Sequence, residues 1–368
     1  MTSRRASRKI MVGGVPVGGG SPMPVQSMLN VHTSDRAAAI RQCEELYRAG
    51  AGILRLSVDS PEDVAALRDI AKASPVPLVA DIQFEKRAAI PALEAGAAAV
   101  RVNPGLFPEG SPEFAMLGAE VAKRGAAIRV GANAGSIGEA AIRAELGKGL
   151  SRRAALAQLL AERTLRQCEA LERLGVHHIK AALKCSDVGV TVEANRVFAE
   201  RSELPLHIGV TEAGTLYRGV VKSACGIGAL LLSGIGDTIR VSLTGPPVEE
   251  VRAGIAILEA CGLRPAAPEI VSCPTCGRTE IDLPRLVEEV EALVARLKSA
   301  GRKLPVKKIA VMGCPVNGPG EARDADLGLA GTRKGQVVLF RYGKVLGAYS
   351  AADGLKKLEG LLAAASEA

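Results

Sequence analysis

Short apolar runs rich in β-branched residues alternate with longer amphipathic runs rich in Ala and Leu up to about residue 262. The short runs have the length of strands, and the amphipathic runs have the period of helices. Strands that alternate with helices indicate parallel βαβ units. The predicted strands are 24–28, 53–58, 77–82, 99–103, 127–132, 178–183, 206–210 and 238–243.

The helices between these strands have recognisable beginnings. Asp35 is in an N-cap position for a helix that extends to Ala49, and Pro61 lies in the first turn of a helix that extends towards Ala73. Eight βα units in about 240 residues are what a (β/α)8 barrel requires. No Gly-x-Gly-x-x-Gly follows the first strand, which disfavours a dinucleotide-binding sheet. The pattern therefore predicts an α/β protein built on a TIM barrel.

A second, smaller domain is predicted after a linker at residues 265–268. Its pattern is a strand, a helix, a strand, a hairpin and a final helix, the first four at 269–272, 284–300, 307–313 and 336–350. The predicted domains are thus residues 1–264, the barrel, and residues 265–368, an α+β domain.

Composition supports a large core with few aromatic residues, since 48% of the 368 residues are hydrophobic and only 2% are aromatic. The first nine residues are basic, but no apolar signal segment follows them, and no run approaches the roughly 18 apolar residues of a membrane span. We therefore expect a soluble, cytoplasmic protein with no membrane contact. In that compartment, the eight cysteines argue against a disulfide framework.

The formal net charge of +8 raises the question of a nucleic-acid partner. The excess charge is spread along the chain, with no dense basic run beyond the first nine residues and no aromatic RNA-reading motif. We therefore expect no nucleic-acid partner. A basic pocket for an anionic small molecule is the alternative, and the ends of the predicted strands favour it.

Basic side chains fall at the carboxyl ends of five predicted strands, where barrel enzymes place their chemistry. Any one of them is consistent with ordinary surface charge, but five converging cations would repel each other unless an anion bound there. Arginine binds phosphate bidentately, so a ligand with phosphate, and in particular diphosphate, is expected. The five residues are Arg55, Arg101, Arg129, Lys184 and Arg240.

Other polar residues follow the same strands. Asp81, Asn103, Asn133 and Ser242 are candidate substrate-binding residues, of which Asn103, Asn133 and Ser242 could hydrogen-bond ligand hydroxyls. Glu212, in the stretch GVTEAG, is an acid among these cations. It could act as a proton donor or base, or it could balance the charge of an arginine, and both interpretations stay open.

Three cysteines of the second domain have the spacing of a metal site. Cys273 and Cys276 form a Cys-x-x-Cys pair, and Cys314 lies in GCPVNGPGEA, a loop whose prolines and glycines exclude helix and strand. That loop also holds Glu321. Zinc would need a fourth Cys or His, and a redox pair would leave Cys314 and Glu321 unexplained. Three cysteines and a replaceable carboxylate favour an iron–sulfur cluster.

The chain resembles the 4-hydroxy-3-methylbut-2-enyl diphosphate synthase family of the methylerythritol phosphate route to isoprenoids. The motifs that carry the resemblance run nearly end to end, and the last two are the most specific. They are PVQSM, RVNPG, RVGANAGS, KCSDV, LHIGVTEAG, GIGDTIRVSL, SCPTCGR and MGCPVNGPGEA.

The resemblance implies a TIM barrel followed by a domain similar to those of sulfite and nitrite reductases. It implies a 4Fe–4S cluster held by Cys273, Cys276, Cys314 and Glu321, with Glu321 the ligand that substrate replaces. The implied oxidoreductase opens 2-C-methyl-D-erythritol 2,4-cyclodiphosphate reductively and removes a hydroxyl as water. Glu212 is the family position for a proton donor, and the substrate is held by Arg55, Asp81, Arg101, Asn103, Arg129, Asn133, Lys184, Arg240 and Ser242.

The implied partners are flavodoxin or ferredoxin as electron donor and a second copy of the chain. In the family homodimer, the cluster domain of one chain caps the barrel of the other. One position departs from the family pattern, because Gln83 stands where the family usually has histidine. This change removes a metal-binding or acid–base side chain there and leaves one that can hydrogen-bond.

Two rival functions make different predictions. A zinc-stapled barrel that only binds a phosphorylated ligand would contain zinc and show no redox response. A barrel enzyme such as a pterin-type synthase, using the cations alone, would not need the cysteines.

Overall fold

The computed structural model describes residues 3–83, 85–103, 105–133, 135, 137–264, 268–300, 302, 304, 306–314, 322, 324–332 and 334–364, without the side chains of Asn133, Ser299 and Ala364. The chain divides into two compact units, Met1–Arg264 and Pro265–Ala368. Within the described residues, no helix is both long and apolar enough to cross a lipid bilayer.

The first unit begins with a hairpin that the sequence pattern did not predict. Its strands, β1 (Ile10–Val12) and β2 (Val15–Val17), pair antiparallel across Gly13 and Gly14. Each of the eight predicted barrel strands is present, although the last two are shorter than expected. They are β3 (Gln26–Met28), β4 (Ile53–Ser57), β5 (Leu78–Asp81), β6 (Ala99–Val102), β7 (Ala127–Asn133), β8 (Ile179–Lys184), β9 (His207–Ile208) and β10 (Thr238–Ile239).

The eight strands close into a parallel barrel. Strands β3 to β8 form one parallel sheet in chain order, and β9 pairs parallel with β10. A bridge from Ala181 to Leu206 joins β8 to the residue before β9, and a bridge from Val25 to Ile239 joins β10 to the residue before β3. The predicted TIM barrel is therefore confirmed.

Helices surround the barrel, and most neighbours in the chain pack side by side, with the last helix against the first. The predicted N-cap is confirmed, because the Asp35 side chain accepts a hydrogen bond from the Ala38 N–H at 3.0 Å, and Pro61 opens its helix as expected. The helices are α1 (Arg36–Arg48), α2 (Pro61–Ala73), α3 (Ala89–Glu94), α4 (Pro112–Arg124), α5 (Glu139–Leu146), α6 (Arg152–Arg173), α7 (Val188–Arg201), α8 (Leu216–Leu232) and α9 (Pro247–Ala260), with a 3₁₀ turn at Lys86–Ala88.

The β1–β2 hairpin covers the amino-terminal end of the barrel. Its buried residues Ile10, Val12 and Val17 pack with the first inward-facing residues of β4 to β7, such as Ile53 and Ala127. This apolar layer fills one end of the barrel interior. The polar interior residues lie beyond it, towards the carboxyl ends of the strands.

The second unit contains a five-stranded mixed sheet in the order β11-β12-β13-β14-β15, with two helices packed on one face. The three strands β11 to β13 are parallel, and β14 and β15 form the predicted hairpin. Strand β13 was not predicted. The elements are β11 (Glu269–Ser272), α10 (Leu283–Ser299), β12 (Lys308–Met312), β13 (Leu327–Gly331), β14 (Val337–Arg341), β15 (Lys344–Tyr349) and α11 (Ala351–Ala364).

Candidate active site

The carboxyl halves of the barrel strands bring a set of buried charges together. Asp81 pairs in register with Arg101, and Arg101 pairs with Arg129, so three neighbouring strands present these side chains on one face. Alternate residues of a strand face the same side, which places Arg55 and Lys184 in the same interior. Asp81 and the four cations named so far are buried, whereas Arg240, which follows β10, is half-buried. We call Arg55, Arg101, Arg129, Lys184 and Arg240 the cation set.

Asp81 is the counter-ion of two members of the cation set. Its Oδ1 lies 3.2 Å from Nη1 of Arg101, and its Oδ2 lies 3.6 Å from Nε of Arg55. Gln83 donates a hydrogen bond from Nε2 to Oδ2 of Asp81 at 3.1 Å. Burial acts to raise the pKa of Asp81, but Arg55 and Arg101 overcome it and hold that pKa below its ordinary value. Asp81 is therefore a carboxylate at neutral pH.

Arg129 and Lys184 have no carboxylate partner of this kind among the described residues. Nε and Nη1 of Arg129 are buried and lack a hydrogen-bond partner there. Burial and the neighbouring arginines hold the pKa of Arg129 and that of Lys184 well below their ordinary values. A side chain at Gly209 would approach Nζ of Lys184 to 2.9 Å and would also meet the carbonyl of Arg240. The absence of a Cβ there therefore leaves space for the lysine.

Arg240 has Glu250 as its carboxylate partner, and Arg55 has a second contact in addition to Asp81. Nη2 of Arg240 lies 3.3 Å from Oε1 of Glu250, which also accepts the Leu243 N–H at 3.0 Å. Arg55 contacts the sulfur of Met28 at 2.9 Å through Nη2. Burial lowers the pKa of Arg55 to about 10. Glu250 was missed in the sequence because it lies on α9, ten residues after Arg240, and no strand end marks it.

The uncharged candidates lie at the carboxyl ends of strands or in the segments that follow them. Asn103 is half-buried, and its Oδ1 accepts the Gly105 N–H at 3.1 Å. Ser242 is half-buried in the segment after β10. The side chain of Asn133 lies outside what the structure describes, although its backbone ends β7.

Glu212 lies in the loop between β9 and α8, at the carboxyl end of the barrel, and its side chain is exposed. Its backbone has φ +52°, a left-handed conformation that costs a non-glycine residue energy. The loop is held on both sides, because the Thr211 N–H bonds the Cys185 carbonyl at 3.3 Å and Thr215 pairs with Thr244. The fold thus imposes the conformation of Glu212.

The second unit brings Cys273 and the segment of Cys314 together. Strands β11 and β12 are parallel neighbours, and the two cysteines follow their carboxyl ends. The Gly313 N–H donates a hydrogen bond to Sγ of Cys273 at 3.2 Å. A side chain at Gly313 would approach Oγ1 of Thr279 to 2.9 Å, so the close packing there depends on glycine.

The cysteines differ in their surroundings. Cys314 is buried, Cys273 is half-buried, and Cys276 is exposed. The backbone N–H of Arg278 holds the pKa of Cys276 below its ordinary value. Glu321 lies outside the described residues, and within those residues no three His, Cys, Asp or Glu side chains form a group that could hold a metal ion. A thiol poised towards thiolate, and an N–H directed at a sulfur, are nevertheless what iron–sulfur ligation uses.

Three further polar residues lie in the barrel interior, and none of them is among the predicted site residues. Lys180 and His207 are fully buried, and Gln26 is 1% exposed. The two-residue period of β8 places Lys180 on the same face as Lys184, a signal that the sequence contained. Of the remaining cysteines, Cys43, Cys168 and Cys185 are buried, Cys261 is half-buried and Cys225 is exposed.

Comparison with known families shows that two family models together match most of the chain. A family model described as the GcpE TIM-barrel domain matches residues 7–255, and one described as the GcpE protein C-terminal domain matches residues 269–364. The chain belongs to the GcpE family. The family resemblance drawn from the motifs is thereby confirmed, as is the order of a TIM barrel and a smaller C-terminal domain.

Three curated GcpE relatives are named 4-hydroxy-3-methylbut-2-en-1-yl diphosphate synthase (flavodoxin). The protein of Salinispora arenicola is 49% identical over 94% of this chain and 85% of its own length. That of Acidothermus cellulolyticus is 47% identical over the same shares. That of Aquifex aeolicus is 47% identical over 94% of this chain and 92% of its own length. Membership confirms the expected class of activity, an oxidoreductase of isoprenoid precursor synthesis.

Proposed function

We propose that the protein converts 2-C-methyl-D-erythritol 2,4-cyclodiphosphate to 4-hydroxy-3-methylbut-2-enyl diphosphate by reductive ring opening and dehydroxylation. With both compounds counted as free acids, the reaction consumes two electrons and two protons and releases one water. Family membership supports this reaction, and one observation on the barrel carries it. Four members of the cation set are buried and Arg240 is half-buried, and Asp81 and Glu250 are the only carboxylates that form ion pairs with the set among the described residues.

The substrate diphosphate binds to the cation set in this proposal. Its two phosphates act as the anionic partners of Arg129 and Lys184, which have no carboxylate partner among the described residues. The guanidinium group of arginine binds phosphate oxygens bidentately. Asp81 fixes the orientation of Arg55 and Arg101, and Glu250 fixes that of Arg240. Asn103, Asn133 and Ser242 hydrogen-bond the polyol part of the substrate. Glu212 donates the proton that leaves with the hydroxyl as water.

The second unit, residues 265–368, holds a 4Fe–4S cluster through Cys273, Cys276, Cys314 and Glu321, and the first unit, residues 1–264, binds the substrate. When bound, the cluster supplies electrons one at a time. The N–H of Gly313 at Cys273 and the lowered pKa of Cys276 support this ligand set. Glu321 acts as the exchangeable oxygen ligand that substrate replaces.

Flavodoxin is the electron donor in this proposal, since the curated relatives carry it in their names. The motifs left flavodoxin and ferredoxin as alternative electron donors, and the proposal chooses flavodoxin. A homodimer in which the second unit of one chain caps the barrel of its partner, and a cytoplasmic location, complete the proposal.

The test is chemical analysis and turnover of protein purified without oxygen. We expect about four irons and four sulfides per chain, and a brown absorption band that bleaches with dithionite. Cys314→Ala should lose the band and the turnover of the cyclodiphosphate. Cys225→Ala, which changes an exposed cysteine of the first unit, should keep both. If the protein instead contained stoichiometric zinc and showed no bleaching after attempted cluster reconstitution, the proposed redox reaction would be wrong. The cation set would then support only a barrel that binds a diphosphate.

A further inference from the structure

A second polar layer lies inside the barrel, between the cation set and the apolar layer of the β1–β2 hairpin. Lys180 is the second residue of β8 and pairs in register with Arg129. His207 begins β9, and Gln26 begins β3. All three side chains are on inward-facing positions and are buried. The proposed function assigns no role to any of them.

This inner layer lacks internal partners. Nζ of Lys180, both ring nitrogens of His207 and both side-chain polar atoms of Gln26 have no hydrogen-bond partner among the described residues. Buried polar groups of folded proteins are nearly always paired. A cluster of five such atoms beneath the candidate substrate site therefore calls for a functional explanation.

The charges around Lys180 are overwhelmingly positive. Arg129 on the neighbouring strand and Arg55 across the barrel act on it most strongly. Lys184, Arg101 and Arg240 share the interior, and the described carboxylates there are Asp81, which faces Arg55 and Arg101, and Glu250, which faces Arg240. Arg129, the direct neighbour of Lys180, has no carboxylate of its own among them.

We propose that, in mildly alkaline solution, Lys180 is mostly an uncharged amine in the free enzyme and takes up a proton from solvent when the dianionic cyclodiphosphate binds above it. The negative charge of the ligand is then stabilised by the cation set and by the ammonium group newly formed on Lys180. His207 stays a neutral neighbour, able to accept a hydrogen bond from that ammonium. The inference rests on the proposed function only in taking the cyclodiphosphate as the ligand.

The electrostatics favour this coupling. Burial, with Arg129 and Arg55 acting in the same direction, lowers the pKa of Lys180 to about 7. A ligand charge about 8 Å from the amine, at an effective dielectric constant of about 20, would favour the protonated form by about thirtyfold. A raised pKa in the complex means that protons are taken up above about pH 7, and that uptake falls as the pH drops below it.

The test is calorimetric titration of the oxidised holoenzyme with the cyclodiphosphate, in buffers of different ionisation enthalpy. Each phosphorus of this ligand carries one strongly acidic hydroxyl, so the ligand itself does not titrate near neutral pH. At pH 8, we expect Lys180→Met to take up about 0.7 proton fewer per site than the wild type. At pH 6 the two proteins should differ little. Between pH 7.5 and 8.5, the wild-type affinity should fall by about fourfold more than that of the variant.

Controls separate this effect from folding and from other groups. Lys180→Gln gives a second neutral side chain, and Lys123→Met changes an exposed lysine on α4 and should behave as the wild type. His207→Gln should keep the wild-type proton count. Equal counts in the wild type and both Lys180 variants would overturn the inference, as would loss of the proton in His207→Gln alone. Failure of the wild type to bind the cyclodiphosphate would instead overturn the proposed function, and this inference with it.

Discussion

At the scale of single residues, the barrel interior depends on carboxylates placed against arginines. Asp81 faces two of them, and removal of one partner from a buried charged group leaves the other uncompensated. We therefore expect Asp81→Asn to lower the free energy of unfolding by about 3–5 kcal/mol. Urea unfolding measures this. Asp69→Asn is the control, because the pair of Asp69 with Arg36 is about half exposed and is worth at most about 1 kcal/mol. Equal effects of the two changes would contradict a structural role for Asp81.

The same pair predicts a pH dependence. The folded-state pKa of Asp81 lies below its ordinary value of 3.8, so its contribution is fully present above that value and is lost as the pH falls through the lower folded pKa. The stability difference between the wild type and Asp81→Asn should be constant from pH 5 to 7 and should shrink below about pH 4. Urea midpoints across that range test this, and a difference that stays constant to pH 3 would contradict it.

Glu212 combines an exposed carboxylate with a left-handed backbone. If it donates the proton, Glu212→Gln should lower turnover of the cyclodiphosphate by about 10²–10⁴-fold and leave its Kd unchanged. Glu212→Gly should lose the same turnover and gain about 1 kcal/mol of stability, because glycine adopts φ +52° without strain. If Glu212→Gln turned over the cyclodiphosphate at the wild-type rate, Glu212 would not be the proton donor, and its interpretation as a charge-balancing partner of an arginine would be favoured.

At the scale of elements, the β14–β15 hairpin gives a prediction in the second unit. Arg341 pairs with Lys344, so the turn has two residues, Tyr342 at φ +47° and Gly343 at φ +72°. Positive φ at both positions is the type I′ turn, which favours Asn-Gly. Tyr342→Asn should therefore stabilise the second unit, by about 0.5 kcal/mol after loss of the contact in which the Arg341 guanidinium lies 5.5 Å from the Tyr342 ring.

The hairpin prediction is checked by thermal unfolding. Arg341→Ala removes the ring contact and keeps the strained tyrosine, so it should lower the unfolding temperature where Tyr342→Asn raises it. A fall in both variants would mean that the ring contact outweighs the backbone strain.

The periodic elements could be predicted from the sequence, and the exceptions have physical reasons. Ile53–Ser57 is a short run between two helical patterns, apolar apart from Arg55 and Ser57, and a run of this length indicates a strand. The hairpin of Ile10–Val12 and Val15–Val17 has strands of three residues, too short for a periodic signal. Leu327–Gly331 contains two glycines, which weaken a strand pattern even where the strand is central in a sheet.

The site could be predicted only in part, for a similar reason. Cations at strand ends follow from position alone, so Arg101 and Arg129 were found. The partners that hold them depend on register and on side-chain reach across the barrel. Glu250 and Lys180 were missed because one lies on a helix and the other lies near the amino end of its strand.

At the scale of the whole molecule, each unit has its own core. The apolar clusters of the first unit fall between Ile10 and Leu263, and those of the second fall between Ile270 and Leu362. Cores that share no residues can unfold as separate cooperative units. We therefore expect two calorimetric transitions, one moved by Asp81→Asn and the other by Tyr342→Asn.

In protein that lacks the proposed cluster, a ligand for the barrel should then act on one transition only. Cyclodiphosphate at about 100 times its Kd stabilises the unit that binds it by about 2.7 kcal/mol, which corresponds to about 5–10 °C for a unit of this size. The transition that Asp81→Asn moves should rise by that amount, and the transition that Tyr342→Asn moves should stay. Sulfate at the same concentration and ionic strength is the control. A ligand that raised both transitions equally would contradict this prediction, because substrate binding would then stabilise the cysteine-bearing unit as strongly as the barrel.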